Sequence, residues 1–461
     1  MLERACVHCY SQNNQYFVVD GNSGAVHKVD SLAYVLIQEI KAGTTPSLDR
    51  FSHSVTKNYS RDVLHEAIGE IQNLIDEGVL FSPDITSAPP RPDSVVKALC
   101  LNVAHDCNLR CTYCFAETGD FGGHRELMDI AIASQAVDFL IANSGSRRLL
   151  EIDFFGGEPL LNFSVVKETV FYGLDQAKIH NKEFRFTITT NGLAFTDDVQ
   201  EFCNKYMDNV VLSIDGRPDV NDRVRYTPSG KKSVYHSIVP KYQQFVQARQ
   251  GKSYYVRGTF THENLDFTND VTHLADLGFD QISMEPVVAD ANQPYALTEE
   301  DLPRILMEYD ALADAFLAHL NHRHAFSFFH FNVELKKGPC LYKRLSGCGA
   351  GYEYLAVTPQ GDLYPCHQFI GDLKFKVGDV FQGLTNTSLK HKLQDAHVLN
   401  KAECTQCWAK YYCSGGCHAN NLAFNNDLRI PYSLACQMER KRLECSFFVH
   451  ASISDENNHD E

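Results

Sequence analysis

Between residues 99 and 320, β-rich runs alternate with helical stretches, and this alternation constrains the fold more than any other feature of the chain. The runs are ALCLNVA, LLEIDFF, FRFTITT, NVVLSI, SYYVRGTF and DQISMEPV. Each is followed by apolar residues at helical spacing, the first two helices falling over residues 127–141 and 165–179. Alternation of this kind gives a parallel sheet with right-handed crossovers. Six units make either an open doubly wound sheet or a partial (β/α)6 barrel of the TIM type. In both, reactive loops lie at the C-terminal ends of the strands.

The flanks read differently. Residues 1–85 form a small α+β domain: a hairpin over residues 15–29 turns at GNSG, and a helix from Ser31 carries Leu32, Val35, Leu36 and Ile40 on one face. A second helix in SRDVLHEAIGEIQNLIDEGVLF has Leu64, Ile68, Ile71 and Ile75 at helical spacing and stops at Gly78. Residues 86–98 hold Pro89, Pro90 and Pro92, a stiff extended linker. The six units then occupy 99–325, and an irregular, cysteine-rich region follows over 326–450. The tail, 451–461, has acidic residues but no Lys or Arg and is expected to be disordered.

Sixteen cysteines in 461 residues need a chemical reason. No secretory signal and no apolar run of membrane-spanning length is visible, so a cytoplasmic protein is expected. Clustered cysteines without export point to metal rather than to disulfides. The net charge of −16 repels phosphate and argues against nucleic acid, while a basic peptide would be attracted.

Cys107, Cys111 and Cys114 follow the first run directly with the spacing C-x3-C-x2-C. A closed zinc site takes four ligands, and His105 is available as a fourth, so a zinc knuckle or a redox dithiol is one reading. Three thiols also suit a cluster that keeps one iron open. FFGGEPLL ends the second run: Gly156 and Gly157 let a backbone approach closely, and Glu158, followed by Pro159, adds a carboxylate that suits an ammonium. Further on stand Cys340, Cys348, Cys366, Cys404, Cys407, Cys413, Cys417 and Cys436. A zinc ribbon would have a longer gap between its cysteine pairs. Cys100, Cys203 and Cys445 read as structural thiols, and the C-x2-C of Cys6 and Cys9 has no metal-binding context.

With Tyr113 before its third cysteine, the triad resembles that of the radical S-adenosylmethionine (SAM) enzymes. The resemblance implies a [4Fe–4S] cluster on Cys107, Cys111 and Cys114, whose fourth iron chelates SAM. It implies SAM contacts for Gly156, Gly157, Glu158 and Pro159 at the amine, Ser213 at the ribose and Arg225 at the carboxylate. Asn191 and Met284 are further candidates. The later cysteines, with Gly361, resemble the SPASM extension of these enzymes, which holds two auxiliary [4Fe–4S] clusters. By that resemblance Cys340, Cys348, Cys366 and Cys417 hold the nearer one, and Cys404, Cys407, Cys413 and Cys436 the outer one. If Cys340 does not bind, the nearer cluster has an open iron.

The N-terminal domain resembles the winged-helix peptide-recognition element of ribosomal-peptide modification. In sum the chain looks most like the maturases of SCIFF peptides, within the sactipeptide and ranthipeptide group. That implies an oxidoreductase of an anaerobic organism, served by a small flavodoxin- or ferredoxin-type electron donor. A 5′-deoxyadenosyl radical would lead to a thioether between a peptide Cys and an acceptor residue, typically Thr, at its α carbon or on its side chain. The leader of the Cys-rich precursor peptide would bind the N-terminal domain. Two alternatives stand: an anaerobic sulfatase maturase, which carries an Asp where His367 stands here, and a non-catalytic iron–sulfur or zinc scaffold that docks peptides or carries electrons.

Overall fold

The computed structural model describes residues 4–84, 95–320, 325–335 and 341–459. Most of the expected proline linker and Cys340 lie outside the described residues. The chain divides into two compact units, each discontinuous in sequence. One comprises residues 91–329 and 348–395, and the other 1–90, 330–347 and 396–461.

The first unit contains all six expected strands: Ala98–His105, Leu149–Gly156, Glu183–Thr190, Asn209–Ser213, Ser253–Phe260 and Gln281–Pro286. They are parallel and hydrogen-bonded in consecutive order. A doubly wound sheet reverses its strand order at a switch point. This sheet has no such reversal along those six strands and is wound in one direction, as a barrel is. Helices Ile130–Ala142, Phe163–His180, Asp197–Tyr206, Val234–Ala248, Phe267–Asp276 and Leu302–Leu320 follow the strands in turn. The first two begin and end within three residues of the expected bounds. Leu150, Ile152 and Phe154 of the second strand are fully buried on one face, while Glu151, Asp153 and Phe155 on the other are half-buried.

The sequence boundary at residue 326 is redrawn. Strand Tyr354–Val357 pairs in parallel with Ala98–His105, and Asp362–Tyr364 pairs antiparallel beside it. The first half of the cysteine-rich region therefore continues the central sheet. The physical reason is edge satisfaction: the strand Ala98–His105 is buried along its whole length, and its second edge needs backbone partners.

The second unit opens with a three-stranded antiparallel meander, Val7–Gln12, Gln15–Asp20 and Ala25–Val29. Val7–Gln12 was not foreseen. Asn13 and Asn14, both left-handed at φ 49° and 61°, make the two-residue turn that joins it to the expected hairpin. Helices Ser31–Lys41 and Arg61–Asp76 follow, each N-capped by a side chain, of Asp30 and Ser60 respectively. Leu32, Leu36, Ile37 and Ile40 bury one face of the first, whereas Val35 is 37% exposed and Ile37 takes its expected place.

This sheet packs on the C-terminal part of its own unit. His8 stacks on Trp408 at 4.4 Å, and the Tyr10 hydroxyl donates to the carbonyl of Glu444 at 2.9 Å. Helix Ser433–His459 closes the unit and runs through most of the tail expected to be disordered. No Gly or Pro interrupts the sequence after Ser433, and the buried Phe447, Phe448 and Val449 anchor the helix ahead of its acidic end. No helix among the described residues is long and apolar enough to cross a membrane.

Candidate active site

The strand Ala98–His105 delivers the cysteine triad to the C-terminal end of the sheet. Asp106 Oδ1 accepts from the Cys107 N–H at 2.8 Å, and Arg110 Nη1 donates to the carbonyls of Cys107 and Leu109 at 2.7 and 2.6 Å. Arg110–Cys111 then pairs antiparallel with Arg225–Tyr226. These contacts fix the loop. Burial pushes the Cys107 thiol up to about 11 and Cys111 up to about 12, and raises Cys114 as well. A bound metal would displace those protons, since the thiolate is the ligand. His105, the alternative fourth ligand, is buried against Phe121 with its pKa pushed down to about 4 by desolvation.

The second strand ends in the GGEP turn. Gly156 has φ 126°, and a Cβ there would lie 2.3 Å from the Ala104 carbonyl oxygen. One on Gly157 would lie 2.3 Å from that of Asp106. The glycines therefore admit the backbone of the cysteine loop itself. The Gly157 and Glu158 N–H groups donate to those same two carbonyls at 2.8 and 2.9 Å. Glu158 is 1% exposed, and its carboxylate accepts from the Leu160 N–H, the Thr190 hydroxyl and the Asn191 N–H. Burial lifts its pKa to about 7. Three donors of its own fold hold the side chain in place, beside the turn's backbone. Pro159 opens the short helix Pro159–Asn162.

Asn191 joins the pieces. Its Nδ2 donates to Asn108 Oδ1 at 2.8 Å and lies 3.6 Å from Cys107 Sγ. The first three strand ends are thereby tied together.

Sequence reasoning missed the hub of the next strands, Asp215. It is fully buried. It accepts from the Tyr113 hydroxyl at 2.7 Å, from Arg225 Nε at 2.7 Å and Nη2 at 3.1 Å, and from the Thr259 N–H at 2.9 Å. Its signal was an acid between an apolar run and a glycine, in LSIDG. Arg225 also lies over the Tyr113 ring at 5.6 Å. Arg225 Nη1 makes no hydrogen bond among the described residues. Ser213 ends its strand half-buried, its carbonyl accepting from the Tyr242 hydroxyl at 3.2 Å. Met284 is 1% exposed and packs at Gly258, where a Cβ would come within 2.8 Å of its Cε. It reads as sheet packing.

In the other unit Cys404, Cys407, Cys413 and Cys436 line one pocket, with Lys410, Gly415, Glu439 and Arg440. Tight turns build it: the Cys407 N–H donates to the Cys404 carbonyl at 3.0 Å, and Cys413 N–H to that of Ala409 at 2.8 Å. Ser414, Gly415 and Gly416 all take positive φ. Cys436 enters on the first turn of Ser433–His459. Burial raises the thiols of Cys404, Cys413 and Cys436, Cys404 to about 11. Among the described residues, no three His, Cys, Asp or Glu side chains close around a single ion. Four soft donors lining one pocket fit an iron–sulfur cluster. Cys417 is exposed at the start of helix His418–Asn425 in this unit; Cys348 and Cys366 belong to the sheet unit.

Residues 101–235 match the family model of the radical SAM superfamily. They form a radical SAM domain. An uncharacterized protein of Methanocaldococcus jannaschii is 29% identical over 41% of this chain, a match that spans 62% of that protein's length. The radical SAM cyclopropyl synthase TigE of Paramaledivibacter caminithermalis is 23% identical, over 70% of this chain and 68% of its own. Among solved structures, native anSMEcpe with bound AdoMet superposes with TM-score 0.65 at 18% identity, covering 78% of this chain and 99% of that one. Streptococcus suis SuiB bound to precursor peptide SuiA superposes with TM-score 0.51 at 15% identity, over 93% and 98%. At these identities the structures speak for the fold.

Proposed function

We propose that this chain is a radical SAM peptide maturase that closes a thioether between a Cys sulfur and an acceptor carbon, typically of Thr, in a Cys-rich precursor peptide. The observation that carries the SAM-dependent part is the Cys107–Asn191–Glu158 link, which gathers three strand ends into one mouth. Cys107, Cys111 and Cys114 would hold a [4Fe–4S] cluster, and three thiols leave one iron for SAM. With its Nε and Nη2 on Asp215, the remaining Nη1 of Arg225 suits a charge-assisted hydrogen bond to the SAM carboxylate. The GGEP backbone suits its amine, and Ser213 its ribose. When bound, cluster and SAM together supply one-electron cleavage and a hydrogen-abstracting radical; the protein supplies aim and exclusion of water.

Thioether closure takes one hydrogen from sulfur, as a proton, and one from the acceptor carbon. The surplus electron needs a one-electron acceptor, for which the outer cysteine set is the candidate. The peptide part of the reading is supported by the likeness to SCIFF maturases and by relatives such as SuiB, whose structure includes a precursor peptide. Among the described residues, strand Ala25–Val29 pairs only with Gln15–Asp20. Its other edge suits a leader peptide added as a strand. A flavodoxin- or ferredoxin-type protein would deliver the first electron.

A formylglycine-forming activity is the second reading, favoured by the fold shared with anSMEcpe. His367 speaks against it. Its ring packs 5.2 Å from Phe115 and 4.9 Å from Phe155, and burial pushes its pKa down to about 4, so it is neutral where those enzymes carry an Asp.

The test is the triple variant Cys107→Ala, Cys111→Ala, Cys114→Ala. It should lose about four iron atoms per chain and all SAM cleavage, while the remaining iron stays. Production of 5′-deoxyadenosine at the wild-type rate would refute the assignment.

A further inference from the structure

Two buried lysines flank the outer cysteine pocket, and they differ in one respect. Lys410 Nζ meets Asp84 at 2.7 Å, and also donates to the Thr405 carbonyl at 3.0 Å and to Cys6 Sγ at 3.5 Å. Its charge is matched within the protein. Lys401 is likewise 0% exposed, but its Nζ donates only to the Gly415 carbonyl, at 2.5 Å, and no carboxylate among the described residues pairs with it. A buried ammonium without a counter-charge is costly: it either gives up its proton or is kept charged by an anion that faces it.

The place of Lys401 names that anion. Gly415 lines the cysteine pocket, and a Cβ there would lie 3.1 Å from Lys401 Nζ, so the ammonium stands directly behind that wall. The Lys401 carbonyl accepts from the Cys404 and Thr405 N–H groups at 2.9 and 3.2 Å, which starts the turn carrying Cys404. Arg440 also lines the pocket but is half-exposed, so water screens it.

We infer that Lys401 is the fixed counter-charge of an iron–sulfur cluster held by Cys404, Cys407, Cys413 and Cys436, and that it sets this cluster's reduction potential. The inference rests on the outer-cluster assignment made above. Four thiolates make the loaded site anionic, and taking up an electron makes it more so. A buried positive charge beside it favours the reduced form and raises the potential.

The test is an EPR-monitored redox titration, with iron analysis, of the anaerobically reconstituted full-length protein. The outer cluster is the component that Cys407→Ala abolishes. Lys401→Met keeps the length and removes the charge; Lys401→Arg keeps the charge. Lys401→Met should shift the outer cluster's reduction equilibrium at least tenfold toward the oxidised form, about 59 mV lower for one electron, or lose that cluster's iron. Lys401→Arg should keep both iron and potential. An unchanged potential in an iron-replete Lys401→Met protein would overturn the inference, as would equal iron loss from both variants, which would mark a packing role. If replacing all four cysteines by Ala leaves the iron content unchanged, the cluster assignment itself fails, and the inference with it.

Discussion

Arg225 and Asp215 form a two-point ion pair beneath the cysteine triad, Nε to Oδ2 at 2.7 Å and Nη2 to Oδ1 at 3.1 Å. Asp215 is fully buried and the Arg225 side chain 11% exposed, so little water screens the pair. Asp215→Asn would leave the guanidinium without its partner and loosen Tyr113, which stands beside Cys114. Breaking one side of a buried pair costs about 3–5 kcal/mol. We expect a loss of that order in urea unfolding, together with SAM affinity weakened at least tenfold in a direct binding measurement. Wild-type values for both would remove Asp215 from the site.

Asp153 gives a pH dependence. Its side chain is held on the half-buried face of the second strand, and its pKa rises to about 6, first through desolvation, then through Glu151, with a Thr187 hydrogen bond opposing. A carboxyl raised in the folded state favours folding while protonated. Its destabilising effect therefore grows as pH climbs from about 4, the unfolded value, and is complete above about 6. Asp153→Asn should raise the melting temperature at pH 8, by about half as much at pH 5, and by little at pH 3.5. An equal change at all three pH values would contradict the shift.

Gly21 reports on the packing of the N-terminal sheet against the outer cysteine loop. A Cβ there would lie 2.3 Å from the Trp408 carbonyl oxygen, and backbone cannot yield as a side-chain tip can. Gly21→Ala should destabilise the protein by about 1–3 kcal/mol, the usual range for overpacking, and lower iron retention at Cys404 and Cys407. Unchanged stability and iron content would show that this contact bears no strain.

The six strands were legible because alternating patterns and turn residues coincide there, and each appears within a residue or two of its expected place. The triad and the GGEP turn were legible because both sit where a strand ends. What the sequence hid was non-local. Val7–Gln12 carries His8, Cys9 and Ser11 in place of a clean apolar alternation, and only the paired asparagines after it marked a turn. The join of Tyr354–Val357 to Ala98–His105 spans some 250 residues and leaves no local trace. The carboxylate of Glu158 was legible as an acceptor, but not the three donors of its own fold that hold it. Asp215, Lys401 and Lys410 carry their meaning in burial and partners, which residue type alone does not display.

The most direct test of the proposed function is tandem mass spectrometry of the Cys-rich precursor peptide after anaerobic incubation with the reconstituted enzyme, SAM and a reductant. The expected product is two hydrogens lighter per crosslink, with its sulfur retained, a donor Cys that no longer alkylates, and fragmentation that joins that Cys to an acceptor residue. A peptide of unchanged mass despite SAM cleavage, or one whose Cys has lost its sulfur to become formylglycine, would contradict that function.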